Sequence, residues 1–285
     1  MTDTENSQIV VATDGGSGSR AALRWVADHL GARAAQVRIV TVAEAAHPEV
    51  SIALTAAERA LGAIGAEWTV TAELLDGDPA QAISEAAQGA SLLVVGARTG
   101  GGALTSPRVP ARVAGLATCP VVVVPDDWSP GPGPIVVGSS VDAASDHALD
   151  LAAEIAEREG RALVLAHAWE LPVVGDIPPA PGGPESIPER QRDALDQIAG
   201  DLRRAHPDLE VTVDLRNGAA AASLADAAAE AAMLIVGRRD RPAAARLLLG
   251  SVSHRLVADP PCPVMVIPGP PPGIRTMGDV PDEGL

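Results

Sequence analysis

Lysine is missing from this chain of 285 residues: all 21 basic residues are arginine. Without it there is no Walker-A phosphate lysine, no kinase strand lysine and no Schiff-base nucleophile, which removes several enzyme classes at once. Phenylalanine and tyrosine are missing too, and four tryptophans are the whole aromatic complement. Any core must therefore be built from Val, Leu, Ile and Ala. No apolar run reaches the roughly 20 residues of a membrane-spanning helix, so no membrane partner is expected. Met1 to Gln8 is polar and acidic, which argues against a secretory signal. Only two cysteines are present, which suits a reducing compartment rather than a disulfide framework, and the expected location is cytoplasmic. Positive charge is outnumbered, at a net −16. Nucleic acids and anionic membranes require clustered positive charge, so neither is an expected partner.

What the chain does have is the same text twice. Leu92-Leu93-Val94-Val95-Gly96 returns as Met233-Leu234-Ile235-Val236-Gly237. Thr118-Cys119-Pro120 with Val121 to Pro125 returns as Pro261-Cys262-Pro263 with Val264 to Pro268. Ile9-Val10-Val11 and Ile135-Val136-Val137 open the two copies, and Gly77 and Gly218 precede the Val-Gly pairs at equal intervals. A repeat of this length fixes two domains before any residue is interpreted. The expected division is a tail over 1–7, a first domain over 8–125, a linker over 126–133, a second domain over 134–268 and a disordered tail over 269–285. The linker, Asp126 to Gly133, is too rich in Pro and Gly to continue helix or sheet.

Within copy one, short Val/Ile/Leu strands are predicted at 9–13, 37–42, 68–74, 92–95 and 121–124. Helices are predicted from Ser19 as N-cap to Leu30, over 56–64, and from Asp78-Pro79, with proline at the first helical position. A Gly-rich stretch follows from Gly96 to Gly102. Copy two repeats the order: strands at 135–139, 162–168, 210–215, 233–236 and 264–267, helices at 145–159, 188–205 and 221–231, and a long Pro/Gly loop from Pro172 to Pro188. Uninterrupted apolar strands alternating with helices predict α/β architecture, with parallel sheets covered on both faces.

Such sheets bind ligands beyond the carboxyl ends of their strands, at the reversal of strand order. The turn after strand one and the loop after strand four lie there. In copy two that loop reads Gly237-Arg238-Arg239-Asp240, nine residues, then Gly250-Ser251-Val252-Ser253. A glycine lets the backbone approach phosphate closely, and a Gly-Ser helix start offers amides, a hydroxyl and the positive end of the dipole.

These residues resemble the universal stress protein family, whose phosphate-loop pattern is Gly, two residues, Gly, nine residues, then Gly-Ser or Gly-Thr. Leu247 to Ser253 followed by Cys262-Pro263-Val264 is similar to it, as is Asp14-Gly15 followed by Ser19, Ala22 and Leu23. The resemblance spans both copies. It implies two tandem Rossmann-like, flavodoxin-like open parallel five-stranded sheets of order 3-2-1-4-5, pairing through their fifth strands within the chain or in a homodimer. It also implies ATP as ligand, with Mg accompanying it. The family's aspartate after strand one matches Asp14, with Gly15 beside it; copy two has Ser140-Val141 there. The adenine-facing backbone after strand two falls near Val42 and Ala168. The first phosphate glycine matches Gly96 and Gly237. The second falls on Thr99 and Asp240 and is absent from both. Gly250-Ser251 survives in copy two, with Val252 behind it and Arg238 placed to meet phosphate. In copy one, equal spacing from Gly96 gives Val109-Pro110, counting back from Cys119 gives Pro107-Arg108, and neither is Gly-Ser.

Copy one thus keeps the ribose half and copy two part of the phosphate half. Other features read structurally: Cys119 and Cys262 as packing before buried strands, His167 as a satisfied structural histidine, Trp128 as a pin between domains. No base, nucleophile or metal cluster is apparent, so no enzymatic activity is expected. The functional reading is a non-catalytic, adenine-nucleotide-responsive stress module, with weak or single-site binding best retained in copy two. The alternative is a nucleotide-independent dimerisation or protein-interaction scaffold.

Overall fold

The structure, a computed structural model, describes residues 8–30, 35–42, 54–59, 61, 68–98, 108–139, 146–170, 186–238 and 249–269. The expected tail over 1–7, and all but Gly269 of that over 269–285, lie outside the described residues. So do most of the expected 172–188 loop, Gly100 to Gly102, Thr99, Asp240 and Ser140-Val141.

Copy one runs β1 (Gln8–Ala12), α1 (Ser17–Leu30), β2 (Ala35–Val42), a helical stretch α2 (54–59), β3 (Trp68–Leu75), α3 (Pro79–Ala86), β4 (Leu92–Ala97), α4 (Arg108–Leu116) and β5 (Val121–Pro125). Copy two runs β6 (Ile135–Gly138), α5 (Asp146–Glu159), β7 (Leu163–Trp169), α6 (Ser186–Ala205), β8 (Val211–Asn217), α7 (Ala220–Ala227), β9 (Met233–Gly237), α8 (Ser251–Ala258) and β10 (Val264–Ile267). The strands form a single ten-stranded sheet, ordered β3-β2-β1-β4-β5-β10-β9-β6-β7-β8. Each half therefore has the order 3-2-1-4-5 and is parallel throughout. The halves meet where β10 runs antiparallel to β5, with Met265 opposite Val122. The fifth-strand pairing left open between intramolecular and intermolecular is made inside the chain, which leaves β3 and β8 as the sheet's edges.

The two junction strands, β5 and β10, are buried along their whole length, because helices cover both faces. On one face α1, α2, α5 and α6 pack against Val11, Val94, Val122, Val137, Ile235 and Met265. On the other, α3, α4, α7 and α8 pack against Val10, Val95, Val123, Val136, Val236 and Val264. Both cores run without a break across the β5–β10 junction, so the repeat builds one folded body.

The helices depart from expectation at three places, one being α7, which ends at Ala227 rather than at 231. Helix α1 begins at Ser17 rather than after Ser19, because the amide of Arg20 already bonds the Gly16 carbonyl (3.2 Å). Ser19 is thus buried in the first turn, not the N-cap. Helix α4 was not anticipated, since Pro110 and Gly115 hide it. Proline is tolerated there because it sits in the first turn, where its N–H would have no intrahelical partner. Asp78 does cap α3, accepting the Gln81 amide at 3.1 Å, with Pro79 at the first position.

The linker is fastened rather than loose. Arg161 donates to the carbonyls of Gly131 (2.8 Å) and Gly133 (2.7 Å), and Trp128 packs half-buried against the α1/α5 face. Beside it, His29 at the end of α1 meets Glu159 at the end of α5, with Nδ1 2.9 Å from Oε1, while Trp25 stacks on the His29 ring at 4.5 Å. Arg161 and Arg158 complete the cluster at 3.0 and 3.8 Å from the same carboxylate. Burial alone would raise the Glu159 carboxyl. The His29 hydrogen bond, with the charges of His29, Arg161 and Arg158, outweighs it and holds Glu159 below the usual carboxylate range. A depressed folded-state value stabilises above the unfolded value of about 4.3, and that stabilisation is lost as pH falls through the lower folded value. Glu159→Gln should therefore lower the urea midpoint at neutral pH, with the gap to wild type closing below about pH 4. A gap independent of pH would show that the carboxylate charge does not join α1 to α5.

Candidate functional site

The reversal of strand order in copy one falls between β1 and β4, and a cleft of about 290 Å³ opens there. The turn after β1 supplies its floor. Gly15 holds a left-handed φ of 75°, which glycine adopts without the steric cost a Cβ imposes. This turn aims the Asp14 carboxylate back over the start of α1. Its Oδ1 accepts the Gly16 amide at 2.8 Å and the Ser19 hydroxyl, while the Asp14 amide donates to Ser19 Oγ at 3.2 Å. Among the described residues nothing bonds Oδ2. At the same helix start, Ser17 donates its hydroxyl to the Asp126 carboxylate at 2.8 Å. The positive end of α1 thus already faces two carboxylates.

The remaining walls are apolar. Val42 at the end of β2 forms one side, and Pro79 and Ile83 of α3 another. Val109 and Pro110 of α4 close the third. The two helices are tied together outside the cleft by Arg112, whose guanidinium holds both Asp78 oxygens at 2.9 Å and keeps that carboxyl below its usual range. A fourth contribution comes from the other half: Val257 and Ala258, the last residues of α8, also line the cleft. Arg98, exposed after β4, is the only cationic side chain lining it among the described residues.

Of the expected site residues, Asp14, Val42 and Gly96 are brought together here, with Gly15 in the same turn. Gly96 is required for a different reason from the one expected. A Cβ on it would lie 2.1 Å from the Gly18 carbonyl carbon and 2.5 Å from the Ser19 amide nitrogen, so the backbone of α1 fills that space. In copy two, Ala168 is half-buried near the end of β7, and Gly237 ends β9. Gly250 is the N-cap of α8 and bonds the His254 amide (2.8 Å), with Ser251 exposed, Val252 half-buried behind it, and no side chain capping the helix. Arg238 has a partner in the other half of the chain. Its guanidinium reaches into copy one and donates to the carbonyls of Gly115 (2.7 Å) and Ala117 (3.1 Å) at the end of α4. Unsatisfied carbonyls at a helix end attract a cation, and a phosphate must compete with them.

His167 is satisfied structurally, its Nδ1–H donating to the Ser139 carbonyl at 2.7 Å. Both cysteines are buried in the α3/α4/α7/α8 face, and burial pushes the Cys119 thiol up and that of Cys262 to about 12. Neither thiolate forms at neutral pH, which fits packing rather than redox chemistry. Among the described residues no three His, Cys, Asp or Glu side chains are placed to hold a metal ion. No described helix is long and apolar enough to cross a membrane.

An open α/β sheet of order 3-2-1-4-5, present twice and joined through its fifth strands, defines a tandem flavodoxin-like α/β fold. The sequence profile of the universal stress protein family matches residues 5–125 and 133–268, and the chain belongs to that family. It is 29% identical to a universal stress protein of Mycolicibacterium smegmatis, over 91% of this chain and 96% of that one. It is 28% identical to one of Mycobacterium tuberculosis, over 90% and 96%. The crystal structure of a universal stress protein from Archaeoglobus fulgidus superposes with a TM-score of 0.69 at 20% identity, covering 93% of this chain and 99% of that one, which shows the shared fold.

The backbone contact at Gly96 gives a direct check. Gly96→Ala must displace α1 and should destabilise the protein by roughly 3 kcal/mol in chemical denaturation. A loss below about 1 kcal/mol would contradict the packing described.

Proposed function

We propose that this protein is a cytoplasmic, non-catalytic stress module that responds to adenine nucleotides through the cleft of copy one. The observation that carries this reading is the cleft itself: an apolar slot at the order reversal, floored by Asp14 with Oδ2 facing no described partner. A flat base fits between Val42 and the Pro79/Ile83 wall, and Asp14 accepts from a ribose hydroxyl. The uncapped start of α8 at Gly250-Ser251 supports a second, phosphate-directed element in copy two. Among the described residues no side chain is arranged to activate water or a hydroxyl, so ligand binding changes loop order and helix packing rather than covalent bonds. If ATP binds, Mg arrives with its phosphates.

The scaffold alternative draws on one observation, the commitment of Arg238 to α4, which removes a phosphate ligand from copy two. Calorimetry separates the two. Millimolar ATP-Mg is expected to give heat with the wild type, and Asp14→Ala should weaken binding about tenfold or more. Gly250→Val should have the smaller effect. No heat with the wild type would leave the scaffold reading standing alone.

A further inference from the structure

We infer that the copy-one cleft selects a phosphate-free purine nucleoside over a nucleoside triphosphate, and that the second half of the chain completes it. The inference rests on the adenine-binding reading above and narrows its ligand.

Among the described residues, the phosphate side of the cleft lacks what a polyanion needs. Helix α4 begins Arg108-Val109-Pro110, and Pro110 has no amide hydrogen to offer an anion. Residues 99–107, between β4 and α4, include no charged residue, and Arg108 follows them. The Cα of Gly96 is covered by the backbone of Gly18 and Ser19. The other helix start at the cleft, that of α1, already serves the carboxylates of Asp14 and Asp126. Arg98 lines the cleft together with Asp14, so the described lining carries one charge of each sign against a ligand of about four negative charges. Size points the same way. About 290 Å³ lies at the lower end of small-molecule sites, commonly ~300–1,000 Å³.

What copy one lost in phosphate chemistry, α8 replaces with apolar contact. Val257 is buried and Ala258 exposed at the end of that helix, and both line the cleft across the β5–β10 junction. A bound nucleoside therefore touches both halves. The opposite end of the same eight-residue helix is Gly250-Ser251, so filling the cleft presses on the helix that carries copy two's surviving motif.

The test titrates the full chain with adenosine, AMP and ATP-Mg, reading affinity by calorimetry and position by methyl NMR. Adenosine should bind at least as tightly as AMP or ATP and should shift the methyls of Val42, Ile83 and Val257 together. Ala258→Trp, at an exposed position, should cost adenosine tenfold or more in affinity. Tighter binding of ATP than of adenosine at those methyls, or an unmoved Val257 on adenosine binding, would overturn the inference and leave the adenine-binding reading in place. Failure of all three compounds to bind would overturn both.

Discussion

The antiparallel pairing of β5 with β10 is the constraint on which the rest of the molecule depends. Val121 to Val124 and Val264 to Ile267 are buried on both faces, and each strand would leave a row of unpaired backbone groups at a sheet edge if its half stood alone. Pairing them satisfies both edges with one contact. It also leaves the outer edges to β3 and β8, whose faces alternate with polar residues. Once β5 and β10 are joined, the two cores become continuous across the junction. Helices α4 and α8 then lie side by side on one face, and α1 and α5 meet on the other.

The site follows from that geometry. Because α8 packs next to α4, its last residues reach the cleft of copy one. For the same reason, Arg238 of copy two reaches the end of α4. The two copies have exchanged parts: one supplies Asp14 and the apolar slot, the other closes the slot and keeps the uncapped helix start. Gly96, near the end of β4, is held by packing against α1, so its place is explained without reference to a ligand.

Much of the architecture was legible in the sequence. Continuous Val/Ile/Leu runs separated by helical segments gave the strands to within a residue or two, and Asp78-Pro79 announced the start of α3. Helix α4 was hidden because proline near a helix start looks like a breaker unless its place in the first turn is known. Ser19 passed for a cap because serine serves both as a cap and as an inner partner of a preceding aspartate. Arg238, Val257 and Ala258 were beyond reach for a different reason. Their partners lie more than 100 positions away in the chain, and no periodicity or spacing in a single sequence encodes a contact between two copies.

Amide hydrogen exchange across the junction tests the central claim most directly. If β5 and β10 make the two copies one folded body, the amides of Val122 and Met265 should exchange only through global unfolding, as slowly as those of Val10 and Val94 deep in copy one. Faster exchange at the junction, with each half's own core still protected, would mean that the halves open from one another and that no shared site exists between them.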